Sequence, residues 1–111
     1  MTWINKLTKK LNLKPFEQDW GICNANPSRL DEFIEFYLTN NPLHPWEPEA
    51  LAELIFQSAE EAWNEGMLKT YQIKNIQHFF TTHCNDFPIT AEYWLELKKT
   101  EWYIPRILNK I

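Results

Sequence analysis

Apolar residues recur at intervals of three and four along most of the chain, which is the period of an amphipathic α-helix. The clearest stripe follows Asn26-Pro27, where an N-cap residue precedes a proline in the first helical turn. Its members are Leu30, Phe33, Ile34, Tyr37 and Leu38. Because the run Asn40-Asn41-Pro42 is typical of a helix stop, the pattern predicts a helix that ends there.

The same period predicts four further helical segments. Two of them run from about Pro48 to Glu65 and from about Thr70 to His83; the other two contain Trp3, Ile4, Leu7 and Leu11, and Ala91, Trp94 and Leu95. Thr2 and Thr90 precede two of these segments as N-caps. Gly66 follows another at the position that commonly ends a helix, and Pro105 begins a last short turn.

Residues 42–48 join the second and third predicted helices and contain three prolines, Pro42, Pro45 and Pro48. Proline fixes its own φ and biases the preceding residue towards extended conformations. The sequence therefore predicts a stiff, extended linker between these two helices.

The composition narrows the fold class further. The chain has 111 residues with only two glycines, no valine, and neither Asn-Gly nor Asp-Gly. Such a chain is poorly suited to sandwiches, hairpins and glycine-rich phosphate loops. At 44% hydrophobic residues it is too apolar for disorder. We therefore predict an all-α fold, a single domain over residues 1–111 in the form of one compact irregular bundle of about five helices.

The N-terminal segment and the cysteines indicate a compartment. Residues 1–14 lack the continuous apolar run of a secretory signal, and no stretch of the chain approaches transmembrane length. Cys23 and Cys84 are far apart in the sequence and are expected to be free thiols. We expect a cytoplasmic protein that does not bind a membrane.

Few residues could carry catalytic or metal chemistry. His78 and His83 are five apart, which places them on different faces of a helix and prevents the shared ligation that an i, i+4 pair allows. Residues 83–86, His-Cys-Asn-Asp, combine imidazole, thiol and carboxylate and are the one candidate for a catalytic cluster. A helix end followed by a turn is the simpler explanation. We therefore predict no enzymatic activity, no cofactor and no metal site.

The net charge of −4 is distributed unevenly. Residues 1–20 and 66–111 each carry +2, whereas residues 21–65 carry one arginine against nine carboxylates, a net of −8. Nucleic-acid binding requires a basic surface, so this block argues against nucleic acid as a partner. It predicts instead attraction to a cationic protein.

Large aromatic residues lie among these acids. When the third predicted helix is projected at about 100° per residue, Glu49, Glu53 and Glu60 fall on one arc. Phe56 lies beside this arc. Packing at the margin of the core is the alternative explanation for such aromatics. Because aromatic anchors within an acidic rim are typical of an interface with a basic protein, we predict a partner-binding surface composed of Asp31, Glu32, Glu35, Phe36, Trp46, Glu47, Glu49, Glu53, Phe56 and Glu60.

In general character the chain resembles the small immunity proteins of bacterial toxin systems, including those of contact-dependent growth inhibition. The resemblance lies in one acidic helical domain without a cofactor motif, and in acid-and-aromatic stretches such as Trp46-Glu47-Pro48-Glu49 and Phe56 to Glu61. It implies a protein that binds a cognate toxin domain, often a cationic nuclease, and blocks its active site or a nearby surface.

Two other functions remain open at the level of sequence. The first is a non-enzymatic adaptor or assembly protein of phage or mobile-element origin, which predicts self-association or a partner that is not a toxin. The second is an acidic mimic of nucleic acid, which requires carboxylates spaced like phosphates along the surface.

Overall fold

Helices account for all the regular secondary structure in residues 2–42, 44–97 and 101–110, which are the residues that this computed structural model describes. The α-helices are α1 (Trp3–Lys10), α2 (Trp20–Asn24), α3 (Leu30–Thr39), α4 (Trp46–Asn64), α5 (Thr70–His83), α6 (Pro88–Glu96) and α7 (Ile104–Leu108). Two short 3-10 turns, Pro27–Arg29 and Cys84–Asp86, lead into α3 and α6. The all-α prediction is confirmed, and five α-helices of this described part have eight residues or more, which is the predicted number.

The long helix α4 is the axis of the fold because other helices cover it on several sides. It contacts α1, α2, α3, α6 and α7, and twelve of its nineteen residues are buried. The ring of Phe56 is fully buried and contacts the rings of Phe79, Phe80, Phe87 and Trp94. A helix covered on most of its circumference offers no continuous solvent face. The predicted place of Phe56 on a partner-binding surface is therefore wrong, since this side chain forms the centre of the core.

Three of the predicted helix-end residues act as the sequence indicates. The hydroxyl of Thr2 accepts a hydrogen bond from the amide of Asn5 at 3.2 Å, and the side chain of Asn26 accepts one from the amide of Ser28 at 3.0 Å. Gly66 has a φ of +70° and donates its amide back to the last turn of α4. Glycine adopts this left-handed conformation at no steric cost, so Gly66 ends α4 as predicted.

The linker and the start of α6 differ from the prediction. α4 begins at Trp46, two residues before the expected start, because Pro48 falls in its first turn, where a missing amide is tolerated. The extended linker is therefore shorter than residues 42–48, and residue 43 lies outside the described residues. α6 begins at Pro88, so Thr90 is a residue of its first turn and does not cap it.

The short helix α2 was not predicted, and it packs closely against α4. Asp19 precedes it with a φ of +53°, in the left-handed region. The indole Nε1 of Trp20 donates to the Thr8 hydroxyl at 2.9 Å, which links α2 to α1. A Cβ placed on Gly21 would lie 2.9 Å from Cγ of Glu53. The two helices can approach this closely because residue 21 has no side chain. The close approach places residues 17–22 beside α4.

Buried glutamates of α4 cap the helices that follow it in the chain. The carboxylate of Glu49 accepts hydrogen bonds from the amides of Ile89 at 3.2 Å and Thr90 at 2.8 Å, in the first turn of α6. The backbone carbonyl of Glu49 also accepts from the Thr90 hydroxyl at 3.2 Å. A carboxylate at this position satisfies unpaired amides and complements the positive end of the helix dipole. The cap that the sequence assigned to Thr90 is thus supplied by α4.

Glu60 does the same for α7, three turns further along α4. Its two carboxylate oxygens accept from the amides of Tyr103 at 3.0 Å and Ile104 at 2.8 Å. The side chain is 3% exposed, so these hydrogen bonds form in a largely water-free environment. Glu49 and Glu60 are therefore structural residues, and the predicted place of Glu60 on a binding surface is wrong.

We expect Glu49→Ala and Glu60→Ala each to lower the free energy of unfolding by about 2 to 3 kcal/mol, because each leaves two amides without their charged acceptor. Urea unfolding followed by tryptophan fluorescence measures this loss. Glu35→Ala removes a carboxylate from an exposed position of α3 and should stay within about 0.5 kcal/mol of the unmodified protein. Equal losses in all three variants would contradict the capping role.

Candidate interaction surface

The ten residues predicted to bind a partner do not form one surface. Glu47, Glu49, Phe56 and Glu60 are buried, with exposed fractions of 9% or less. Glu47 accepts a hydrogen bond from the side-chain amide of Asn40 at 3.3 Å, at the end of α3. A helical projection places Glu49 and Glu60 on a polar arc, but it does not show that neighbouring helices cover that arc.

The three predicted acids on α3, Asp31, Glu32 and Glu35, are exposed, but two of them are held by contacts within the chain. Asp31 accepts hydrogen bonds from two side chains of α5. Glu32 forms an ion pair with Arg29 at 2.6 Å, and this hydrogen bond lowers the pKa of Glu32. Glu35 is exposed, whereas Phe36 is half-buried and packs against the core. This part of α3 therefore lacks an exposed aromatic anchor beside its acids.

A groove of about 510 Å³ combines aromatic and acidic side chains from four separate segments. We call it the acidic groove, and define it by Trp3, Glu17, Asp19, Trp46, Glu53 and Tyr93. Trp46 is 49% exposed and Tyr93 is 56% exposed, on α4 and α6 respectively. Ile22 of α2 also lines the groove and is 43% exposed. Three of the ten predicted residues, Trp46, Glu49 and Glu53, line this cavity, although the carboxylate of Glu49 is held by amides of α6.

Glu53 lies between the exposed residues of the groove and the buried core. One of its oxygens, Oε2, accepts a hydrogen bond from the indole Nε1 of Trp94 at 2.7 Å. Burial raises the pKa of Glu53, the Trp94 hydrogen bond partly offsets that rise, and the negative charge of Asp19 adds to it. The carboxylate is therefore held at an energetic cost beside another acid, as is common at functional sites.

The outer face of α6 extends the acidic groove. Ile89, Glu92, Tyr93 and Glu96 are exposed and line a second, shallow cavity of about 450 Å³. Tyr93 lines both cavities, so the two form one surface. The described residues lining them include several carboxylates and no lysine or arginine. The described residues of this surface therefore combine negatively charged side chains with a group of exposed apolar anchors.

Part of this surface could have been identified from the sequence. Ile89, Tyr93 and Glu96 follow helical spacing on the side of α6 opposite the apolar residues Ala91 and Trp94. Glu17, Asp19 and Ile22 lie in α2 or just before it, and no periodicity relates them to Trp46 and Glu53 of α4. They meet because α2 packs tightly against that helix, which sequence reasoning missed.

The His83-Cys84-Asn85-Asp86 cluster does not pair its thiol with its imidazole. His83 lies on a cavity of about 630 Å³, with its Nδ1 3.3 Å from Oδ2 of Asp86. The hydroxyl of Tyr37 donates to the same Asp86 oxygen at 3.0 Å, and burial with this contact raises the pKa of Tyr37. Cys84 lines a different cavity. The arrangement is a hydrogen-bonded network that joins α3 to the end of α5.

Within the described residues, no group of three or more histidine, cysteine, aspartate or glutamate side chains is arranged to hold a metal ion. Both cysteines are free thiols, as predicted. No helix in the described ranges is long and apolar enough to cross a bilayer. Comparison of the chain with protein-family models, curated proteins and solved structures found no match.

The raised pKa of Glu53 predicts a pH dependence of stability. Between the ordinary glutamate pKa and the raised one, the folded state binds more protons than the unfolded chain, so this group's contribution to the free energy of unfolding falls as pH rises. Glu53→Gln removes that contribution and keeps an acceptor for Trp94. The free energy of unfolding of Glu53→Gln minus that of the unmodified protein should therefore increase between about pH 4 and about pH 7.

Urea unfolding at several pH values measures this difference, and Glu35→Gln is the control for loss of an exposed carboxylate. A difference for Glu53→Gln that stays constant or declines with pH would contradict the expected effect.

Proposed function

We propose that this chain is an immunity-type protein that binds and neutralises a cognate, cationic toxin domain, such as a nuclease. The binding surface in this proposal is the acidic groove together with the outer face of α6. The observation that carries it is the exposure of Trp46 and Tyr93 among carboxylates, with no lysine or arginine among the described residues of either cavity.

The physical chemistry of protein interfaces supports this assignment. Exposed aromatic side chains supply most of the affinity at interface centres, and complementary charge accelerates encounter and selects the partner. A nuclease domain presents a basic surface because it must bind a polyanion. A protein whose anchors lie within a negative potential is suited to occupy that basic surface in place of the nucleic acid.

The proposal is tested with the purified product of the neighbouring gene, because immunity genes lie beside their toxins. We expect Trp46→Ala with Tyr93→Ala to raise the dissociation rate at least tenfold and to abolish protection of cells that express the toxin. Leu38→Ala removes an exposed apolar residue outside the acidic groove and should leave both properties unchanged. Surface plasmon resonance measures the rates. A neighbouring product without toxicity, or one that does not bind, would favour an adaptor function instead.

Charge reversal on α6 should act mainly on the association rate. Glu92→Lys with Glu96→Lys is expected to slow association about tenfold at low salt and to weaken its dependence on ionic strength. Glu35→Lys with Glu65→Lys makes the same change of charge at exposed positions outside both cavities. If this control pair slows association as much as the α6 pair does, the surface proposed here is not the interface.

A further inference from the structure

The walls of the acidic groove are held in place before any ligand binds. The ring of Trp3 stacks on that of His44, with centroids 5.0 Å apart and planes 8° from parallel. Nδ1 of His44 accepts the backbone amide of Trp46 at 3.2 Å. One imidazole therefore orients the aromatic residue from α1 and the first turn of α4 together. Preorganised walls reduce the entropy lost on binding.

The groove also contains negative charge without a cationic partner from the described chain. Only Oε2 of Glu53 accepts a hydrogen bond from a described residue, which leaves Oε1 to accept from a ligand. The ion pairs among the described residues are Arg29–Glu32 and His83–Asp86, and neither involves Glu53 or Asp19. Two neighbouring carboxylates, one of them partly buried, would be stabilised by a cation placed between them.

The chemistry of the walls selects among possible cations. A metal ion needs several oxygen or nitrogen ligands in a fixed geometry, and the described side chains form no such group. An ammonium is strongly hydrated and loses much of that hydration inside an aromatic groove. A guanidinium is planar and weakly hydrated, so it stacks on an aromatic face while it donates to carboxylates at its edge. The groove volume of about 510 Å³ lies within the usual range for a small-ligand site.

We propose that the acidic groove is a guanidinium site, in which an arginine side chain stacks on Trp46 or Tyr93 and donates hydrogen bonds to Glu53 and Asp19. This inference rests on the proposed function and names the residue that a cationic partner inserts. Oε1 of the half-buried Glu53 supplies the acceptor, and the exposed aromatic faces supply the cation–π contact.

The site is tested with three matched peptides, acetyl-Gly-Xaa-Gly-amide in which Xaa is arginine, citrulline or lysine. Citrulline has nearly the shape of arginine but carries no charge. We expect the arginine peptide to shift the indole N–H signals of Trp3 and Trp46 saturably in NMR spectra. The citrulline peptide should bind at least tenfold more weakly, and the lysine peptide should also bind more weakly than arginine. Equal binding of arginine and citrulline, or of arginine and lysine, would overturn the guanidinium assignment.

Two variants test the residues of the site. Glu53→Gln keeps the acceptor for Trp94 but removes the charge, and Trp46→Leu keeps an apolar side chain at an exposed position but removes the aromatic face. Each should weaken the arginine peptide about tenfold, whereas Glu35→Gln should not. Unchanged binding in both groove variants would overturn the site.

The outcome is separable from that of the proposed function. A chain that neutralises a toxin but does not bind the arginine peptide retains its immunity function and loses this site. A chain that binds the peptide through Glu53 but neutralises no neighbouring product retains the site and loses the immunity function.

Discussion

The fold depends on carboxylates of α4 that accept hydrogen bonds from the first turns of α6 and α7. These two helices have nine and five residues, which is too short for stability on their own. In neither helix does the N-cap side chain accept a hydrogen bond from a first-turn amide. Glu49 and Glu60 supply what is missing, and they also fix where each helix begins relative to α4. The C-terminal part of the protein is therefore attached to α4 by directional contacts as well as by apolar packing.

Because of these contacts, the acidic block at residues 21–65 is only partly a feature of the protein surface. Part of its charge is directed inward to amides, as at Glu47, Glu49 and Glu60, and does not form a binding face. The acids of the proposed surface lie on α6, in residues 17–19 before α2, and at Glu53. Net charge along the sequence thus overstates the charge presented by α4. The surface proposed to bind a cationic toxin depends on which carboxylates remain after the capping contacts are made.

Periodicity, caps and proline positions were sufficient to predict the five longer helices and the all-α class, because these are local properties. The same reasoning failed at Phe56 and Glu60, since a projection separates polar from apolar arcs but does not show whether another helix covers them. Trp46, Glu49 and Glu53 were predicted as site residues and do line the groove. Their neighbours Asp19 and Tyr93 were not, because long-range packing against α4 brings them there. Tertiary contacts of this kind leave no periodic signal in one sequence.

The most direct test of the capping account is native-state hydrogen exchange at the amides of Thr90 and Ile104. First-turn amides usually exchange quickly because they lack an intrahelical acceptor. If Glu49 and Glu60 accept these amides in a buried environment, both should exchange at least about a hundredfold more slowly than in an unstructured peptide. In Glu49→Ala, protection should fall more at Thr90 than at Ile104. Exchange of both amides at unstructured rates in the unmodified protein would contradict the account.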